Sequence, residues 1–201
     1  MAFFSKNAVA VIKFAAGVLL LPAVYSFSVS FINEFNTLKG DLALYFWAGV
    51  ASFAIFYIFV YQPELVYNYG QQMLGRIFSF SKPLAGAALY IIPAYTLALF
   101  IIYGVLVFTS EVKGITGYFL LLIGFSIAMH LVFTAKSLNC GRRDFLKANY
   151  LFGFSLVYLS VLLLLGLGLS LILKEFSFFR FFNGSWQESA KIFTTIFNKV
   201  P

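Results

Sequence analysis

Five apolar runs divide the chain. They extend from roughly Ala8 to Ile32, Leu42 to Tyr61, Pro83 to Phe108, Gly117 to Ala135 and Tyr150 to Leu173. Each approaches the ~20 residues needed to cross a hydrocarbon core of about 30 Å. Continuous apolarity alone does not separate a buried strand from a helix, but length does. In lipid a spanning segment must satisfy its own backbone amides, so all five are expected to be helices. Pro22 and Pro93 fall inside the first and third runs, where a proline removes a backbone donor and kinks or breaks the helix. The first run is too long for a signal peptide, and no small-x-small cleavage site stands out before Asn33-Glu34-Phe35-Asn36, so it is expected to be retained as a span.

Two segments carry helical periodicity without being uniformly apolar. From Pro63 to Phe80, Leu65, Val66, Tyr69, Met73, Ile77 and Phe80 share one face, and Glu64, Asn68, Gln71, Gln72 and Arg76 the other. Pro63 suits a first helical turn. This pattern predicts a helix in the membrane interface, or a re-entrant element. The second segment is the tail. Asn183-Gly184 reads as a break, and Ser185-Trp186-Gln187-Glu188 as a capping box opening a helix. Behind it Trp186, Ala190, Phe193, Phe197 and Val200 recur at spacings of four, three, four and three. The sequence thus divides into a transmembrane helical domain, 1–173, and an aromatic-rich amphipathic tail, 174–201. The apolar face of the tail needs a cover, either membrane surface or partner protein, and Trp186, Phe193 and Phe197 are the expected docking residues.

Composition fixes the solvent. Of 201 residues, 62% are hydrophobic and 10% are charged, against the roughly 25% charge typical of soluble domains. The expected fold is therefore an all-α polytopic membrane protein of about five spans, with membrane lipid as its first partner. The net charge of +7 lies between the runs and in the tail, which orients spans and argues against nucleic acid. With the N-terminus inside, Lys6, Lys13, Arg76, Lys82, Lys136, Arg142, Arg143 and Lys147 lie on the inner side, and Lys39 and Lys113 outside. The expected placement is a bacterial inner membrane, N-terminus cytoplasmic, C-terminus outside. The single cysteine, Cys140, excludes an internal disulfide framework.

The chemical inventory is thin. The one histidine, His130, falls inside the fourth run, where a metal site would want three or four ligands. An intramembrane imidazole is open to three roles: a hydrogen bond to a neighbouring helix, a pigment or haem ligand, or a step in a proton path. Ser126-x-x-x-His130 resembles the small-x-x-x-His pattern of chlorophyll-binding helices, a single weak match. No Gly-x-Ser-x-Gly elbow or phosphate-binding loop is present, and no cofactor is expected. Gly49, Gly86, Gly104, Gly124, Gly153, Gly166 and Gly168 lie within the runs, where small residues let helices approach. Leu84-Ala85-Gly86-Ala87-Ala88 is the densest such stretch.

One stretch carries a family resemblance. Tyr67-Asn68-Tyr69-Gly70-Gln71-Gln72-Met73-Leu74-Gly75 resembles the segment of site-2-protease-like bacterial membrane peptidases in which an aromatic-Gly pair leads into His-Glu-x-x-His. Leu89 to Tyr95, with Pro93, resembles a proline-bearing helix of the same proteins. Phe119 to Leu138 resembles their next span, and Gly141 to Asp144 the loop after it. On this resemblance Gln71 and Gly75 stand where two zinc-binding histidines would be, and Gln72 where the catalytic glutamate would be. Glutamine and glycine replace neither two imidazoles on zinc nor a carboxylate base. The resemblance therefore implies a peptidase scaffold without its peptidase: a non-catalytic subunit or scaffold of a larger membrane assembly, with other membrane subunits as partners. A working metallopeptidase with ligands not identified in the sequence, and a transport or permeation component, are the competing classes. The absence of an acid within the runs weighs against the last.

Overall fold

The computed structural model describes residues 2–38, 40–60, 62–79, 88–109, 114–139 and 149–199. They form seven helices: α1 (Ala2–Phe35), α2 (Leu42–Phe59), α3 (Glu64–Ile77), α4 (Ala94–Thr109), α5 (Thr116–Asn139), α6 (Tyr150–Ile172) and α7 (Phe178–Lys199). No strand occurs among the described residues. Four stretches are long and apolar enough to cross a membrane: Val11–Phe35 of α1, all of α2, Thr116–Leu138 of α5, and α6. Their outward side chains suit hydrocarbon rather than water: Phe59 is 81% and Leu171 87% exposed. This is a polytopic, all-α membrane protein.

The third run departs from the expected uninterrupted span. Residues 88–91 are helical, the helix stops at Ile92 and Pro93, and α4 then runs for 16 residues. Pro93 has no N–H to give the preceding turn, and its ring disfavours helical geometry at Ile92. At 1.5 Å per residue α4 covers about 24 Å, short of a full hydrocarbon core. Pro22, by contrast, lies inside a continuous α1, where Ser26 Oγ donates to the Pro22 carbonyl at 2.9 Å.

The main core lies between α1, α2, α5, α6 and the start of α7. Phe31, Phe35, Leu120, Val161, Leu165 and Phe181 are among its buried members. Phe176 and Phe181, from beyond Lys174, belong to this same core as the spans do. Glycine sets the closest approach. A Cβ at Gly49 would lie 1.9 Å from the Leu121 carbonyl oxygen, and one at Gly124 2.2 Å from that of Phe46. The α2 and α5 backbones therefore approach where one helix presents glycine and the other a backbone carbonyl. Gly104, in contrast, has open space around it. The Leu84–Ala87 part of the small-residue stretch lies outside the described residues, as do Lys39, Lys82, Lys113, Cys140, Arg142, Arg143 and Lys147.

The tail corrects one expectation. Asn183-Gly184 does not break the helix, and Ser185 caps nothing. α7 runs unbroken through both, and Ser185 is fully buried, its Oγ donating to the Phe181 carbonyl at 2.7 Å. The helix starts at Phe178 instead, just after Ser177, whose Oγ accepts from the Arg180 amide at 3.4 Å. Tertiary packing overrides the local break signal: Gly184 lies against Ser30 of α1, 3.4 Å from a would-be Cβ to Ser30 Oγ.

Candidate functional site

The turn into α3 is tight. Gln62 holds a left-handed backbone at φ 56°, and Pro63 precedes the first helical residue. The helix then docks on the bundle by Tyr67, Gly70 and Leu74, its buried residues. The apolar stripe legible in the sequence points the other way: Leu65, Tyr69, Met73 and Ile77 are all exposed. In a membrane protein that stripe meets lipid, while the narrower Tyr67 face meets protein.

Three bonds fix the docking. The Tyr67 hydroxyl and Thr134 Oγ1 of α5 are 3.0 Å apart. The Tyr95 hydroxyl of α4 donates to the Val66 carbonyl. Lys136 of α5 pairs with Glu64 at the start of α3. Gly70 is needed for the fit, since a Cβ there would come 2.7 Å from the Tyr95 ring. Burial pushes the Tyr67 phenol up to about 12, although the Thr134 hydroxyl pulls the other way. The group is therefore a neutral hydrogen-bonding phenol at any physiological pH.

His130 stands behind this face, 2% exposed. Its Nε2 lies 3.0 Å from the Tyr90 carbonyl oxygen. That carbonyl belongs to the short helical stretch, 88–91, that stops before Pro93. A ring that donates Nε2–H to a carbonyl is, when neutral, left with Nδ1 as an acceptor. Next to it Ser126 Oγ donates to the Ile123 carbonyl at 3.1 Å and lies 2.6 Å from Thr96 Oγ1. Ser126 thus accepts from Thr96, which ties α4 to α5.

Gln71 and His130 share a cavity with Tyr67, Pro93, Tyr95 and Ser126. Its volume is about 10 Å³, the room of a single water molecule. Gln71 Oε1 is buried there without a hydrogen-bond partner among the described residues. Gly75, one turn on, has open space around its Cα, and Gln72 is exposed. The structure thus brings Gln71 to His130 and leaves Gln72 outside. No three His, Cys, Asp or Glu side chains converge among the described residues. As it stands, the cluster can donate, accept and hold polar groups in register.

The tail residues lie apart from this cluster. Trp186 and Phe197 are each 66% exposed, and Phe193 is half-buried. The residues that join α7 to the rest are others: Phe178, Phe181, Ser185 and Ser189. Sequence reasoning also missed Glu34. Its side chain is 8% exposed, and one carboxylate oxygen accepts from Arg180 Nη2 at 2.7 Å, Arg180 Nε at 3.0 Å and the Ser177 amide at 2.8 Å. The signal was present: an acid closing an apolar run, and a lone Arg within Phe-Ser-Phe-Phe-Arg-Phe-Phe.

Comparison with protein-family models, with curated proteins and with solved structures finds no match.

Proposed function

We propose that the chain is a non-catalytic integral membrane subunit or scaffold of a larger membrane assembly, built on a degenerate site-2-protease-like fold. The observation that carries this reading is the position of Gln71. It projects from α3 into a cavity shared with His130, on a helix docked by Tyr67 and Gly70. An imidazole at 71 and another at 75 would lie four residues apart, one helical turn, on one flank of α3. Here those positions hold an amide and no side chain. An amide oxygen is a poor zinc ligand beside nitrogen and sulfur donors. The cavity is also far too small for a peptide strand. A bacterial inner membrane and a cytoplasmic N-terminus fit the basic residues between the spans.

The reading is tested by metal content and by partners. The native protein should carry no stoichiometric zinc when purified without chelator. The Gln71→His, Gln72→Glu, Gly75→His triple variant, which sets two imidazoles on one flank of α3 where position 75 has space for a ring, should bind zinc more tightly than the native chain. Mass spectrometry of the protein purified gently from native membranes should return associated membrane chains. One zinc per native chain would overturn the non-catalytic reading, and purification with no associated chain would overturn the assembly.

A further inference from the structure

α7 does not lie across the end of the bundle. It runs antiparallel to α1 and in contact with it. Ser177 and Arg180 meet Glu34, Phe181 meets Phe31 with ring centroids 5.9 Å apart, and Gly184 lies against Ser30. Further along α7, Ser185 and Ser189 are buried. Residues 26 to 34 of α1 belong to a membrane-span stretch, Val11–Phe35. α7 thus lies beside a candidate span, although it is not one of the four helices apolar enough to cross unaided. Its 22 residues extend about 33 Å, enough to cross.

Around this helix three faces follow from 100° per residue. One, with Phe178, Phe181, Ser185 and Ser189, packs inward. A second holds Phe179, Trp186 and Phe197, all exposed and suited to hydrocarbon. The third holds Gln187, Lys191, Thr194 and Asn198, exposed and spaced by four, three and four. Glu188 flanks it, paired with Lys191 at 2.7 Å, with 47% and 69% of the two side chains exposed. Counting from Ser177 at the Glu34 level, Glu188 lies about 16 Å and Lys191 about 21 Å along the helix, which is mid-bilayer depth if α7 follows α1. Hydrocarbon does not tolerate an open charged and amide-bearing face at that depth.

We propose that this polar face closes on the same face of a second copy, across a twofold axis normal to the membrane. A twofold interface is isologous, so each contact occurs twice. The face is self-complementary in this sense: Glu188 of each copy meets Lys191 of the other, one turn away. The 4-3-4 spacing is that of a helix–helix seam, and Gln187, Thr194 and Asn198 supply side chains that hydrogen-bond across membrane helices. The proposal is independent of whether the α3 site is catalytically silent.

Thiol cross-linking in native membranes tests it, in a Cys140→Ser background that leaves no other thiol. Gln187→Cys and Thr194→Cys should form disulfide-linked dimers, and Trp186→Cys and Phe197→Cys should not. Co-expression supplies a second measurement that does not depend on one variant folding. Glu188→Lys and Lys191→Glu chains should each lose self-association, yet co-purify with one another. Equal cross-linking from both faces, cross-links from Gln187→Cys to a different chain, or rapid labelling of Gln187→Cys by a water-soluble maleimide without dimer would each overturn the proposal. So would failure of the two charge variants to pair.

Discussion

Tyr67 shows how much one hydroxyl can hold in a bundle that has few polar contacts to spare. It carries a hydrogen bond from the inward face of α3, and its partner, Thr134, is fully buried. Tyr67→Phe keeps the ring and orphans the Thr134 hydroxyl. The expected loss is about 1–3 kcal/mol, the cost of an unsatisfied buried polar group, read from thermal or denaturant unfolding in detergent. The same variant has a pH signature. The phenol titrates near 10.0 when exposed and at about 12 when folded, so the folded state holds more protons in between. Its stabilising contribution is whole below pH 10 and falls as pH rises toward 12. Tyr67→Phe should remove that part of the alkaline decline; an unchanged alkaline limb would mean that other groups set it. Gln71, one helical turn away, is the opposite case. Its unpaired oxygen is a local cost that Tyr67, Gly70 and Leu74 must outweigh.

Among the elements, α2 and α5 pack through absence. Gly124→Ala places a methyl against the Phe46 carbonyl, a rigid backbone neighbour, and should cost roughly 1–3 kcal/mol or more through forced separation of the helices. Gly104→Ala in α4 meets nothing and should be neutral or stabilising by about 0.5–1 kcal/mol, since alanine is the better helix former. Equal effects of the two would show that glycine acts here through propensity and not approach. Beside the aromatic contacts of Phe181, α1 and α7 are tied by an ion pair. Arg180→Ala leaves the buried Glu34 oxygen with the Ser177 amide alone, and should cost about 2 kcal/mol. It should also loosen α7 to limited proteolysis. Arg180→Lys should restore little, because a single ammonium does not reproduce the Nε and Nη2 contacts. These elements differ in how far they could be read beforehand. Span lengths emerged from the apolar runs because lipid forces helices, and the amphipathic α3 from its period and Pro63. The start of α7 did not. Asn183-Gly184 and Ser185 are correct local signals for a break and a cap, and only the neighbouring surface of α1 makes a continuous helix cheaper. Nor could the sequence place Gln71 beside His130, since that proximity depends on the break at Pro93 and on Gly70.

For the whole molecule, the path of α7 decides where the chain ends. Five spans with the N-terminus inside would leave the C-terminus outside. A tail that crosses back along α1 would reverse this. With Glu34 at the far end of α1, α7 begins at that level with Ser177 and Arg180, and its length of about 33 Å is enough to carry the end back. The basic residues agree. Lys6 and Lys13 at the start of α1 lie on the inner side in the favoured orientation, and Lys199 ends α7 on that same side. Lys191, inside α7, is offset by Glu188. Cytoplasmic loops and ends retain lysine because positive segments resist translocation. Both termini are therefore expected on the cytoplasmic face. A fluorescent protein that folds only in the cytoplasm, fused in separate chains to either end, should fluoresce in both, and a periplasm-dependent phosphatase at the C-terminus should stay inactive. An active C-terminal phosphatase would place the tail on the outer surface, and the polar face of α7 would then be explained by water. Fluorescence at both ends leaves that face within the bilayer, where it requires the protein cover that a second copy supplies.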